Sequence, residues 1–402
     1  MPFPTNAIGS FDTMMVLKNS TIWRTTRTSS PTWRMIQAWL TRRIDSRRGC
    51  QSKRHHDARF QLNRDTIVNE RSKQIEKKGE PLKRSTTISV LAIQCWLCQI
   101  ATALPAADLL MLDNGTVKVG IDREKGAAIT WLSFDTYPEN LVNIADPGRL
   151  IQQSYYAGRR LDRRPEGQSK SWSPWTWNPI QGGGVGAGGR NGTWASVTAF
   201  ENKDSTLYSE TIPKLWDMPD ENAEAVMRQW TTFEPNMPDV IRVQCEIQVM
   251  RRDDDPWGEA RQSPQEVPAC YFTRNFETVK SYLGDGQWRA EHQAPGPPWG
   301  KATPPLKAMA MFEPSGQGIA VFSPTSSEKW NFGPHGRGLS RDPEDGPCMH
   351  VAPIDRVRLG RQSTFRYRYW LVLGNEMQLA MRLDALWKTF SDEQSQLVEP
   401  SP

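Results

Sequence analysis

Between Ile241 and Val249 every second residue is apolar: Ile241, Val243, Cys245, Ile247 and Val249 alternate with Arg242, Gln244, Glu246 and Gln248. Successive side chains of a strand point to opposite faces, so this stretch fits a strand with one buried face and cannot form the apolar stripe of a helix. Phe365, Tyr367, Tyr369, Leu371 and Leu373 repeat the pattern, with Arg366 and Arg368 opposite. Val117, Val119 and Ile121 do so within 115–121, and shorter candidates lie at 127–134, 150–156, 193–200, 206–212, 226–233, 267–272, 306–312 and 318–323. Gly, Pro, Asn and Asp clusters separate them. One stretch reads as helix: Asn375 can cap a segment in which Leu379, Leu383, Leu386 and Phe390 recur at helical spacing. Helices do not alternate with strands, which excludes a doubly wound sheet or an α/β barrel. The expectation is an all-β fold, an antiparallel β-sandwich with a C-terminal helix packed on a sheet.

That pattern begins only after residue 107. Residues 1–84 hold 18 Lys and Arg against 7 Asp and Glu, whereas the rest of the chain holds 32 against 38. The overall charge of +5 therefore averages two unlike segments, and a nucleic-acid partner does not follow from it. Residues 1–82 have no sustained apolar period and read as a basic, disordered extension or the product of an upstream start site. Lys83 and Arg84 precede an apolar stretch over 88–103 that ends in Ala101-Thr102-Ala103, the order of a secretory signal peptide. Residues 83–107 are therefore expected to direct export, as a cleaved signal peptide or as a signal anchor, to a secreted or periplasmic location. The sandwich then occupies 108–390, and 391–402 is a tail. Only Cys245, Cys270 and Cys348 follow the leader, an odd set that makes no disulfide framework. The long Gly/Pro-rich stretches 159–192 and 285–305 read as connections of the kind that carry function.

Four groups of residues could carry chemistry. Trp172, Trp175 and Trp177 stand together before Asn178, and indole rings can stack on the flat faces of sugars while an amide bonds their hydroxyls. The same tryptophans could instead fill the mouth of the sandwich. Asp146 and Arg149 lead into Gln152-Gln153-Ser154-Tyr155-Tyr156, where period two puts Gln152, Ser154 and Tyr156 on one face and Gln153 and Tyr155 on the other. Those polar groups need partners, supplied by a ligand or by a hydrogen-bonded corner. Glu266, just before Pro268, is a carboxylate at a strand entry that could act as acid or base. His335 and Arg337 share a loop and His350 enters another, giving imidazoles for proton transfer and guanidinium for an acidic sugar. No His or Cys spacing suits zinc, and Asp253-Asp254-Asp255 lacks the spaced ligands of a calcium loop. No metal or other cofactor is expected.

The run Asn114-Gly-Thr-Val-Lys-Val-Gly-Ile-Asp-Arg-Glu-Lys-Gly-Ala-Ala-Ile-Thr-Trp-Leu132 resembles the first hairpin of galactose-mutarotase-like β-sandwich domains. With Asn140-Leu-Val-Asn143, the 148–158 segment and Trp175-Thr-Trp-Asn-Pro179, it looks like a group of exported bacterial proteins. The resemblance covers most of 108–390 and implies the supersandwich also found in aldose epimerases, some glycoside hydrolases and many polysaccharide lyases. Epimerases of this kind use two histidines and a late glutamate. Here no histidine stands between residue 108 and His292, which argues against mutarotation. Two readings stay open. The first is an exported polysaccharide lyase or glycoside hydrolase, with Glu266, His335 or His350 moving a proton, Tyr155 or Tyr156 assisting, Arg149 or Arg337 holding an acidic group, and Asp146 with Glu266 as the one candidate carboxylate pair. The second is a non-catalytic carbohydrate-binding or cell-envelope module built on Trp175, Trp177 and Asn178, with Gln152 and Gln153 as further contacts. Both take an oligo- or polysaccharide partner, no nucleic acid, and no membrane beyond the signal-anchor alternative.

Overall fold

The computed structural model describes residues 108–185 and 192–399. The extension expected over 1–82 and the signal peptide expected over 83–107 lie outside the described residues. The alternation read from the sequence is expressed as two large antiparallel sheets. In the 10-stranded sheet, Met237–Val249 pairs with Ala225–Glu234 on one side and Thr364–Asn375 on the other, with Ile241 opposite Leu371 and Ile247 opposite Phe365. The sheet continues through Gln317–Phe322, Ala308–Phe312, Thr278–Gly284 and Gln287–Glu291. The 8-stranded sheet has Gln262–Thr273 at its centre, flanked by Gln152–Ser154 on one edge and by Cys348–Ala352 and Ile354–Arg358 on the other. A three-stranded sheet of Leu109–Asp113, Val117–Asp122 and Ile129–Phe134 adds Val119, Ile121 and Leu132 to the same core. The antiparallel sandwich expected from the pattern and from the resemblance is the fold observed.

The odd-numbered residues Ile241 to Val249 are all buried between the sheets, where they meet Val267, Cys270 and Phe272 of the smaller sheet. Burying each aliphatic side chain contributes roughly 1.5–3 kcal/mol, so this seam is the main source of cohesion. Parity is used twice in the larger sheet. Val240, Trp370 and Val372 point the other way and pack with Leu379, Leu383 and Leu386 of the helix Glu376–Phe390. Asn375 caps that helix as expected, accepting from the Gln378 backbone N–H at 3.0 Å while the Gln378 side chain accepts from the Asn375 N–H at 2.9 Å. Where the helix does not reach, the outer face carries an ionic ladder in register. Arg228 bonds Glu210 at 2.8 Å and Glu246 at 2.6 Å, and Arg366 bonds Glu246 from the next strand.

Two of the expected connections contain strands. Ala157–Leu161 pairs with Trp175–Trp177 inside 159–192, and Gln287–Glu291 and Gly300–Ala302 lie inside 285–305. His335 ends the strand Trp330–His335 and His350 is central in Cys348–Ala352, so neither belongs to a loop as the flanking glycines and prolines suggested. The short strand Gln396–Val398 pairs with Thr364, Phe365 and Arg366.

Candidate active site

An irregularity in the central strand of the smaller sheet creates the site. Glu266 pairs with Ser154 and Ala269 with Gln152, so Gln262–Thr273 spends three steps where its neighbour spends two. In an unbroken strand Glu266 would share a face with Cys270 and Phe272, which are buried in the core. The extra residue of the bulge reverses that parity and turns the carboxylate outwards. Pro268, which has no N–H to give the ladder, sits inside the bulge.

On that outer face, Tyr156 donates its phenol to Glu266 Oε2 at 3.3 Å, and Ser154 Oγ lies 3.4 Å from the Tyr156 hydroxyl. His350 places Nε2 at 3.9 Å from Glu266 Oε1. The imidazole is fully buried, with the tilted rings of Tyr271 and Trp299 centred 4.4 Å and 4.5 Å from it. Its register partner Gly333 has no side chain, and a Cβ there would meet the Gln293 side chain at 2.8 Å. Only 12% of the Glu266 side chain is exposed, and burial raises its pKa above the usual carboxylate range, opposed in part by Ser154, Tyr156 and the charge of Lys301. Burial, reinforced by the Glu266 charge, also raises the Tyr156 phenol and keeps it neutral. Burial pushes His350 down to about 3, so it is a neutral imidazole near pH 7.

Glu266 and Tyr156 open onto a cavity of about 470 Å³ whose walls include Arg159, Arg160, Arg261, Trp175 and Asn331. Glu266 is the one carboxylate among the lining residues, and among the described residues none of the three arginines has a carboxylate at ion-pair distance. Arg160 instead lies over the Trp175 ring at 6.0 Å. Trp175 is held edge-on by Trp172 and donates Nε1 to Asn178 Oδ1 at 3.1 Å, while Asn178 donates to the Tyr155 carbonyl at 2.7 Å. Behind the wall, the Arg251 guanidinium is fully buried against Trp177 at 5.1 Å, with Asp255 at 3.6 Å as its nearest counter-charge. The cavity thus combines a flat indole, a positive rim and one shielded carboxyl group. Among the described residues, no three His, Cys, Asp or Glu side chains are grouped as a metal site requires.

The structure therefore brings together Glu266, Tyr156 and His350, and sets Trp175 on the wall. Other candidates from the sequence lie elsewhere. Tyr155 faces inwards, fully buried, bonded to Gln153 at 2.8 Å and packed edge-on against Phe365. Gln152 and Gln153 serve as a corner: Gln152 bonds the Pro147 carbonyl and the Gly182 N–H, and Gln153 bonds the Arg228 carbonyl. Trp177 is core, and Asn178 positions Trp175 from beneath. Asp146 and Arg149 pair with each other at 3.0 Å, and Arg149 also bonds the Gly346 carbonyl. Neither lines the cavity, so the carboxylate pair Asp146–Glu266 is not assembled there. His335 contacts Trp299 at 6.3 Å, and its pKa is lowered by burial and by the Arg149 charge. Arg337 is exposed, away from the cavity lining. Sequence reasoning missed Arg159, Arg160, Arg261, Trp299 and Asn331. Extending the period-two count from Tyr156 through Gly158 reaches Arg160, which was the available signal.

No protein-family model matches the chain, and no curated protein matches it. Solved structures are similar to it at low identity. A TPR-domain containing protein from Parabacteroides distasonis is 9% identical, with 67% of this chain and 47% of that chain covered, at a TM-score of 0.37. A galactose mutarotase-like protein from Clostridium acetobutylicum is 9% identical, with 66% of this chain and 95% of that one covered, at 0.36. A heparan sulfate lyase from Pedobacter heparinus is 7% identical, with 67% and 37% covered, at 0.33. The chain spans less than half the length of the first and the last of these. Such likeness concerns architecture, and the chemistry is read from the residues of the cavity.

Proposed function

We propose that this chain is an exported carbohydrate-active enzyme that cleaves an acidic polysaccharide by elimination at a uronate. The observation that carries the reading is the Glu266–Tyr156 pair at 3.3 Å, opening onto a cavity with an arginine rim and an indole wall. A uronate carboxylate neutralised by guanidinium acidifies the neighbouring C–H bond. Glu266 takes that proton, the C–H electron pair becomes a carbon–carbon double bond, and the adjacent bond to the glycosidic oxygen breaks. The leaving oxygen takes a proton from the neutral Tyr156 phenol. A raised carboxyl pKa suits the first transfer, since a base works best near the operating pH. Trp175 offers a stacking face for a pyranose ring. Hydrolysis by paired carboxylates fits less well, because the cavity lining supplies only Glu266. The apolar stretch at 88–103 and its Ala-Thr-Ala end support export to where such polymers occur.

The test incubates the full chain with polysaccharides that contain uronates and with neutral ones. Ultraviolet absorbance from an unsaturated uronate, seen with acidic polymers and lost in Glu266→Gln, is the expected result. New reducing ends without absorbance would make the protein a hydrolase, and retention of a polymer without cleavage would make it a binding module; either ends the proposal.

A further inference from the structure

His350 is bound on one side and bare on the other. Its Nδ1 lies 3.2 Å from the Cys270 carbonyl, and a carbonyl can only accept, so Nδ1 carries the ring proton. In a neutral imidazole, Nε2 is then a lone-pair acceptor. That atom is buried and has no hydrogen-bond partner, although such groups ordinarily find one. The group it faces is Glu266 Oε1 at 3.9 Å, an acceptor too while the carboxylate is ionised. Two acceptors facing each other make no hydrogen bond, and Nε2 is left without a partner. A single proton on Glu266 converts the pair into donor and acceptor.

We infer that His350 is a positioning residue for Glu266: its bare Nε2 accepts a hydrogen bond from the Glu266 carboxyl once that group has taken a proton. The inference deepens the proposed elimination, because the bond forms only after proton abstraction and so favours the later state over the starting one. The 3.9 Å separation shortens by about 1 Å as the bond forms. The surrounding groups are consistent with this assignment. Tyr156 occupies the other oxygen of Glu266 and Ser154 bonds the Tyr156 hydroxyl, while Lys301 is the nearby cation acting on both Glu266 and His350. The Tyr271 and Trp299 rings pack against the imidazole, and the half-buried His335 beyond Trp299 disfavours a charge on it.

Nitrogen-15 spectra of histidine-labelled full chain test this without any substrate. His350, assigned by its absence in His350→Gln, should show a protonated Nδ1 and a bare Nε2 at neutral pH. As the pH falls through the titration of Glu266, the Nε2 resonance should move in one step that is missing in Glu266→Ala. If His350→Gln does not fold, Glu266→Gln serves instead: its amide N–H donates at every pH and should hold Nε2 in the shifted position throughout. A proton on Nε2 at neutral pH, or a resonance that ignores Glu266, would overturn the inference. The readout is separate from turnover, so a chain that cleaves no uronate polymer but shows the coupled step loses the proposed function and keeps the pairing.

Discussion

Glu266 works only if its environment holds two opposed conditions: enough burial to raise its pKa, and enough opening to meet a ligand. Burial supplies the first, against the opposing bonds of Ser154 and Tyr156, and the cavity supplies the second. Glu266→Gln should lower kcat by about 10²–10⁴-fold on a uronate polymer, with a smaller loss for Tyr156→Phe. The acid limb of kcat/KM for the unaltered chain should lie above the ordinary carboxylate range, because the free enzyme must deprotonate Glu266 first. A limb at the ordinary value would remove Glu266 from the role of base. Glu266 stood out in the sequence beside Pro268, but nothing there gave its direction, since regular alternation would have sent it into the core with Cys270. Tyr155 and Tyr156 were equally ambiguous: period two separates them and does not say which face is inside. His350, bracketed by Pro347 and Pro353, looked like a loop residue because both prolines hide a short strand whose pairing partners are distant in sequence.

At the level of elements, the long strands and the helix were legible because each carries its own period in consecutive residues. The short strands at 157–161, 175–177 and 300–302 were not, because their order depends on partners and on glycines such as Gly333, which leaves room for Gln293. The helix Glu376–Phe390 closes one face of the larger sheet, and its first turn depends on the Asn375 cap. Asn375→Ala should cost about 1 kcal/mol in urea unfolding, with turnover unchanged, since the helix and the cavity belong to different sheets. On the rim, Arg160→Gln combined with Arg261→Gln should raise KM for acidic polymers severalfold and flatten its dependence on salt, because exposed guanidinium groups act through a screened field. An unchanged salt dependence would show that the rim does not meet the substrate.

For the molecule as a whole, buried titratable groups couple stability to pH. His350 titrates near 6.5 when unfolded and is pushed down to about 3 in the fold, so its contribution is complete above 6.5 and is lost as pH falls towards 3. The loss is on the order of several kcal/mol, and thermal unfolding of His350→Gln should show a shallower decline over that window. Glu266 acts in the opposite sense: its raised pKa favours the folded state at low pH, and that contribution fades as pH rises through the folded value. The larger sheet is covered on one side by the smaller sheet and on part of the other by the helix, with the ionic ladder of Arg228, Glu246 and Arg366 on the remainder, whereas the smaller sheet turns its outer face to the cavity. The cavity and the packed seam therefore belong to different faces: a side chain changed on the outer face of the smaller sheet alters what the cavity meets while the rows between the two sheets keep their neighbours.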